Sequence, residues 1–146
     1  MKILFGCDPN AAEMKKVLMK VAAEMGHETV DMGSEDPIYA NTAIRVAESV
    51  AAGDGDRGVL VCGTGLGMSI AANKVKGAVA ALLSDVYSAQ RAVLSNNSNI
   101  ACMGAFTTGP KLAAELLKVW LGLKFNPDSS SAPKVAAYKD YDFNRK

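Results

Sequence analysis

At 146 residues the chain is the size of one compact domain, and 49% apolar residues are enough for a core. Sixteen Lys and Arg nearly balance fifteen Asp and Glu, and no basic stripe is interleaved with aromatics, so charge gives no support to nucleic-acid or anionic-membrane binding. No apolar run approaches the roughly 20 residues that cross a membrane, and Met1-Lys-Ile-Leu-Phe-Gly6 opens a strand with no signal-peptide pattern. Three cysteines without a Cys-x-x-Cys argue against a disulfide framework or a structural zinc site, so the expected compartment is the cytoplasm.

Residues 2–6 read as a first strand, ending in the polar loop Cys7-Asp8-Pro9-Asn10. Residues 11–25 carry Met14, Val17, Leu18, Val21 and Met25 at helical spacing, with Gly26 as the stop. A short strand over 29–32 and a loop over 33–37 lead to a helix over 39–52, with Ile44, Val46, Ala47 and Val50 facing the core. The central strand follows. After Gly77, residues 78–83 read as a fourth strand, Ser84-Asp85 as a helix cap, and the helix runs to about Leu94. Ser95-Asn-Asn-Ser-Asn99 is a polar break before a fifth strand over 100–103. Pro110 opens a last helix through Leu112, Leu116, Leu117 and Val119 to Leu121. Residues 126–133 are a linker, and 135–146 form an aromatic, charged tail that needs something else to pack on, such as a second subunit.

The densest chemistry lies in Val59-Leu-Val-Cys62-Gly63-Thr64-Gly65-Leu-Gly67-Met-Ser69. A short apolar run fits a buried parallel strand, and the glycines after it let the backbone turn sharply toward a ligand. A helix beginning there directs unpaired N–H groups at an anion and favours the thiolate of a nearby cysteine, whose ordinary pKa is roughly 8.5. The spacing is G-x-G-x-G, neither a dinucleotide fingerprint nor a triphosphate loop. From these residues alone, a plain tight turn with a buried cysteine stands equally open.

Five strands alternating with helices predict a Rossmann-like, three-layer α/β/α sandwich around a five-stranded parallel sheet. Ligands then bind beyond the carboxyl ends of the strands. The loops assigned to that end carry Asp8, Tyr39, Cys62 with Thr64, Asp85, and Ser95 to Asn99. Cys7 and Cys102 read as packing residues, Asp85 as a helix cap, and Tyr39 as either a pocket wall or a cover for the core edge.

KILFGCD at 2–8, GHETVDMG at 26–33, VLVCGTGLGMSIAANKV at 59–75 and SNNSNIACMG at 95–104 together resemble the family of ribose-5-phosphate isomerase B and the galactose-6-phosphate isomerase subunits. The resemblance spans residues 1–125, which makes this the isomerase domain and leaves 126–146 as linker and tail. It implies aldose–ketose interconversion through an enediolate, with neither metal nor cofactor. It also implies a homo-oligomer, a dimer or a tetramer of dimers, with sites at subunit interfaces. By the same resemblance, Cys62 moves the proton between C1 and C2, Thr64 and the backbone of Gly63, Gly65 and Gly67 hold the enediolate oxygen, and Asp8 meets substrate hydroxyls. Asn96 bonds the sugar, and Ser69, Asn10, Tyr39, Ser95 and the partner's Lys134 complete the expected contacts.

Departures from the family pattern bear on the substrate. Pro9 stands where a phosphate-facing histidine is usual, Ser95 where a ring-opening histidine is, and Phe106 where an arginine is. The arginine-rich C-terminal segment is replaced by Ser129-Ser-Ser-Ala-Pro-Lys134. The sole histidine, His27, reads as structural. Tetrose 4-phosphates cannot close a furanose and need no ring opener. IYAN at 38–41, SNN at 95–97 and YDFNRK at 141–146 also resemble the erythrulose-4-phosphate isomerase subgroup. A four-carbon substrate is therefore slightly favoured over ribose 5-phosphate. The alternatives are a degenerate subunit of a two-component galactose-6-phosphate isomerase and a non-catalytic sugar-phosphate-binding protein.

Overall fold

The computed structural model describes residues 1–146. Strands β1 (Lys2–Cys7), β2 (Glu28–Asp31), β3 (Arg57–Cys62), β4 (Ala80–Leu82) and β5 (Ile100–Gly104) form one parallel sheet in the order β2-β1-β3-β5-β4. The helices are α1 (Ala12–Glu24), α2 (Tyr39–Ala52), α3 (Leu66–Ala72), α4 (Val86–Leu94), α5 (Pro110–Leu121) and α6 (Ala132–Asn144). This is the expected Rossmann-like α/β/α sandwich.

Crossover handedness decides which helix covers which face. The connections β1→β2 and β4→β5 step toward the β2 edge, whereas β2→β3 and β3→β4 step toward the β4 edge. Right-handed crossovers place the two classes of helix on opposite faces. Accordingly α1, α4 and α5 pack on Ile3, Phe5, Val59, Val61, Ala101 and Met103. Helices α2 and α3 pack on Leu4, Leu60, Ile100 and Cys102. The central strands are apolar on both faces because both faces are covered.

Helical spacing indicated the buried faces but overreached at their margins. Met14, Leu18 and Val21 are buried, while Val17 and Met25 lie at the exposed boundary. Ile44 and Leu112 are exposed too, since no element lies over their part of the helix surface. In α5 the main core residue is instead Trp120, fully buried, with Nε1 donating to Ser98 Oγ at 2.8 Å. Arg57 lies over the Trp120 ring and donates to the carbonyls of Trp120 and Leu123, closing the end of α5.

The C-terminal tail is a helix tied to its own chain. Tyr138 Oη donates to the Asn96 carbonyl, Gly77 N donates to Asp142 Oδ2 at 2.6 Å, and Arg145 donates to the Lys74 carbonyl at 2.9 Å. Helix α6 thereby reaches back into residues 132–133, which the sequence assigned to a linker. Its outward residues Tyr141 and Phe143 remain exposed.

One placement corrects the sequence reading. Ser95 to Asn99 connect α4 to β5 and so lie at the amino end of the sheet, where Asn99 O accepts from Gly58 N at the start of β3. A loop that follows a helix in such a fold falls at the amino end, whereas Asp8, Cys62 and Asp85 follow strands and fall at the carboxyl end. Four residue steps along β3 take the chain from Gly58 to Cys62, about 13 Å along a parallel strand.

Candidate active site

The chain leaves β1 for the β2 side and returns on the other side as β3, which makes the β1/β3 boundary the switch point of the sheet. Cys7 pairs with Val61, and Asp8 N donates to the Val61 carbonyl at 2.9 Å, so Asp8 and Cys62 end up side by side beyond the strands. Asp8 Oδ1 accepts from Asn10 N at 2.9 Å, which fixes the carboxylate over the 3-10 turn Pro9–Ala11.

After Cys62 the backbone reverses through Gly63-Thr64-Gly65 into α3. Gly65 has φ +78, the left-handed region that favours glycine, and a Cβ there would sit 2.9 Å from the Met103 backbone carbon. This turn carries the Gly65 N–H to 3.1 Å from Cys62 Sγ. Because α3 has only seven residues, the adjacent amide, rather than a long helix dipole, is the main dipole facing the sulfur. The N–H groups of Gly63 and Thr64 donate to no acceptor in the chain, and Thr64 Oγ1 accepts from Leu66 N at 3.3 Å.

The extension of β5 holds this turn from beneath. Ala105 N donates to the Cys62 carbonyl at 2.8 Å and Phe106 N to the Gly63 carbonyl at 2.9 Å. Gly104 passes so close that an added Cβ would lie 2.6 Å from the Thr64 backbone. The Phe106 ring, largely exposed, lies against Gly63, and the ring of Tyr39, the first residue of α2, lies against Gly67 in α3. Tyr39 is thus a wall of the turn and not merely a cover for the core edge. A groove of about 310 Å³ between Asn10, Met14, Phe106 and Pro110 adjoins this end of the sheet.

The other two cysteines, Cys7 and Cys102, lie in the core. Burial pushes the Cys7 thiol up to about 11, with Asp31 and Asp8 adding to the rise and Lys15 and Ser34 opposing it. Burial, with Cys62 close by, also pushes the fully buried Cys102 thiol up. Both are packing residues. Lys15, almost wholly buried on α1, pairs with Asp31 Oδ1 at 2.6 Å and ties α1 to the end of β2.

A single chain gathers Asp8, Asn10, Tyr39, Cys62, Gly63, Thr64, Gly65, Gly67 and, in the first turn of α3, Ser69. It leaves Ser95 and Asn96 at the opposite end of the sheet, with Lys134 exposed on α6. A cavity of about 760 Å³ lies on that opposite side, between α6, β4 and Asn96. Sequence reasoning missed Tyr138, which holds the Asn96 carbonyl, and Phe106 as a wall; neither stands in a motif of its own. No cluster of three or more His, Cys, Asp or Glu side chains forms a metal site, and no helix is long and apolar enough to cross a membrane.

Residues 3–138 match the Ribose/Galactose Isomerase family. The chain belongs to that family. It is 48% identical over 141 residues to D-erythrulose-4-phosphate isomerase 2 of Mycolicibacterium smegmatis, covering 92% of this chain and 93% of the relative. It is 44% identical to a ribose-5-P isomerase B of Listeria innocua, covering 97% of both chains. The solved ribose-5-phosphate isomerase B of Clostridium thermocellum superposes with a TM-score of 0.91 at 34% identity, covering 98% of each chain. The protein is accordingly a sugar-phosphate aldose–ketose isomerase of the ribose/galactose isomerase family.

Proposed function

We propose that the substrate is an open-chain four-carbon sugar phosphate, D-erythrulose 4-phosphate and its aldose isomer, handled by a cytoplasmic homo-oligomer. The observation that carries this reading is the position of the only histidine. His27 sits at the amino end of the sheet on the β2 side, with Nδ1 3.1 Å from Met1 N, and no imidazole stands near Cys62 or near Ser95. Opening a furanose takes a proton to the ring oxygen and one from the anomeric hydroxyl, work suited to histidine near neutral pH. A ketose esterified at O4 presents its carbonyl without that step.

The Cys62 thiolate takes a proton from C1 of the ketose. The C–H electron pair becomes the C1–C2 double bond, and the carbonyl oxygen takes the negative charge. The unpaired N–H groups of Gly63 and Thr64 face that oxyanion, where each preorganised donor is worth about 3 kcal/mol. A proton passes from O1 to O2, and Cys62 returns its proton to C2 to give the aldose. Asp8, with one oxygen already taken by Asn10 N, accepts from a substrate hydroxyl with the other.

In this reading Ser95, Asn96 and the partner's Lys134 meet substrate across a subunit boundary, because one chain keeps its own copies of them at the wrong end of the sheet. The exposed apolar residues Leu66, Ile70 and Ile38 beside the turn support such a boundary. Three unpaired, buried cysteines suit a reducing compartment. Ribose 5-phosphate is the second reading, supported by the 44% identical relative and by a Cys62 turn that is indifferent to carbon number. The test is kcat/KM for both substrates on one preparation. A preference for D-erythrulose 4-phosphate is expected, and a tenfold preference for ribose 5-phosphate, about 1.4 kcal/mol, refutes the four-carbon assignment.

A further inference from the structure

Arg91, on α4, takes part in none of the five ion pairs of the chain. Its guanidinium lies 5.8 Å from the ring centroid of Tyr87, one turn earlier on the same helix. Nη1 donates to Ser95 Oγ at 3.3 Å, and Nε is buried with no acceptor. Arg91 is partly buried, and a guanidinium partly withdrawn from water without a carboxylate carries a cost. Here an aromatic face and a single hydroxyl are its partners, and that hydroxyl belongs to the residue standing where an acid–base group is expected.

The bond decides what Ser95 can do. A serine hydroxyl has one hydrogen to give and two lone pairs to accept with. Arg91 occupies a lone pair, and the chain supplies no acceptor for the hydrogen, so the Ser95 O–H is left to donate outward. A hydroxyl that accepts from a cation is also a stronger donor, because linked hydrogen bonds polarise one another. Such a group recognises a carbonyl or hydroxyl oxygen but cannot shuttle a proton as imidazole does.

We infer that Arg91 is a positioning residue for the isomerase: through its bond to Ser95 it aims and polarises that hydroxyl as a donor to an oxygen of an open-chain sugar phosphate. The inference rests on the reading that Ser95 faces the Cys62 half of a neighbouring subunit. It also gives this end of the site a fixed positive charge, which suits a phosphorylated substrate and does not depend on the arginines missing elsewhere.

The experiment is a double-mutant cycle on the full chain, with D-erythrulose 4-phosphate as substrate and ribose 5-phosphate run alongside. Ser95→Ala and Arg91→Gln are each expected to lower kcat/KM about tenfold, the worth of one hydrogen bond. The Arg91→Gln, Ser95→Ala pair should be no worse than either single variant, because the two residues act as one unit. Arg91→Lys, which keeps the charge and a donor, should recover part of the rate. Full activity in Ser95→Ala overturns the placement of Ser95 and the inference with it. An impaired Ser95→Ala beside an unimpaired Arg91→Gln, or losses that multiply to about a hundredfold in the pair, overturns the role of Arg91 alone. Equal losses in Arg91→Lys and Arg91→Gln with matching drops in Tm mark a packing role and overturn it as well. If Arg91→Gln does not fold, the cycle is closed with Arg91→Lys and Ser95→Ala under the same additivity criterion.

Discussion

The Gly65 amide donates to the Cys62 sulfur across 3.1 Å, so the left-handed glycine that turns the chain also faces the thiol it carries. Replacing Cys62 removes the proposed proton carrier but leaves Asp8, Asn10 and Tyr39 in place. Cys62→Ala is expected to lower kcat by about a thousandfold, on the scale of lost general acid–base catalysis. Cys62→Ser should be nearly as slow because a hydroxyl is a far weaker acid. Calorimetric titration with a phosphorylated four-carbon acid should show near-normal binding in both. Near-normal turnover in Cys62→Ala would remove the assignment.

The proposed sharing of sites between subunits can be tested by complementation. Cys62→Ala chains, nearly inactive alone, and Asn96→Ala chains, weakened about tenfold by one lost hydrogen bond, are expected to exceed the sum of their separate activities when co-expressed, since a mixed dimer contains one site with both halves intact. Statistical mixing of two chains makes about half the dimers mixed, each with one working site, so about a quarter of wild-type activity should return. Mixtures no better than the sum of their parts would place Asn96 outside the site.

Gly104 sets the height of the Thr64 backbone. An added Cβ would stand 2.3 Å from Thr107 Oγ1 and 2.6 Å from Thr64, and the latter is main chain that cannot step aside cheaply. Gly104→Ala should cost about 2 to 3 kcal/mol in urea unfolding and lower kcat more than it raises KM. Gly109→Ala, where a Cβ meets nothing, is the control and should change stability by under about 1 kcal/mol.

The Lys15–Asp31 pair predicts a pH dependence. Burial works to raise the Asp31 carboxyl, but the Lys15 hydrogen bond, the Gly33 N–H and the Lys15 charge outweigh it and hold it below its ordinary value. Since the folded value is the lower one, the stabilisation is complete above the ordinary value of 3.8 and is lost as pH falls through the folded value. Lys15→Met should cost about 1 to 2 kcal/mol at pH 7, discounted because Asp31 is half exposed. The gap between wild type and variant should close in urea titrations below about pH 4. A gap constant from pH 7 to pH 3 would mean that the pair contributes packing alone.

The sheet and its central turn were legible in the sequence because they rest on local rules. Val59-Leu60-Val61 is apolar on both faces because both faces are covered, and glycines 63, 65 and 67 mark a reversal whatever surrounds them. Cys7 and Cys102 read as packing residues from the sequence, and burial pushes both thiols up from their ordinary value. Other features depended on contacts far apart in the chain. The tail has little apolar periodicity, and α6 is pinned by Tyr138 to Asn96, Asp142 to Gly77 and Arg145 to Lys74, partners 42, 65 and 71 residues away. The face of Ile44 or Leu112 was readable from helical spacing, but whether anything covers it was not. The placement of Ser95 to Asn99 shows the limit most plainly. Motif resemblance groups residues expected to meet one substrate, while the direction of the chain through the sheet puts them at opposite ends of β3. Residue types carry the chemistry, but which end of the sheet a loop occupies depends on whether it leaves a strand or a helix, and that is a property of the folded topology.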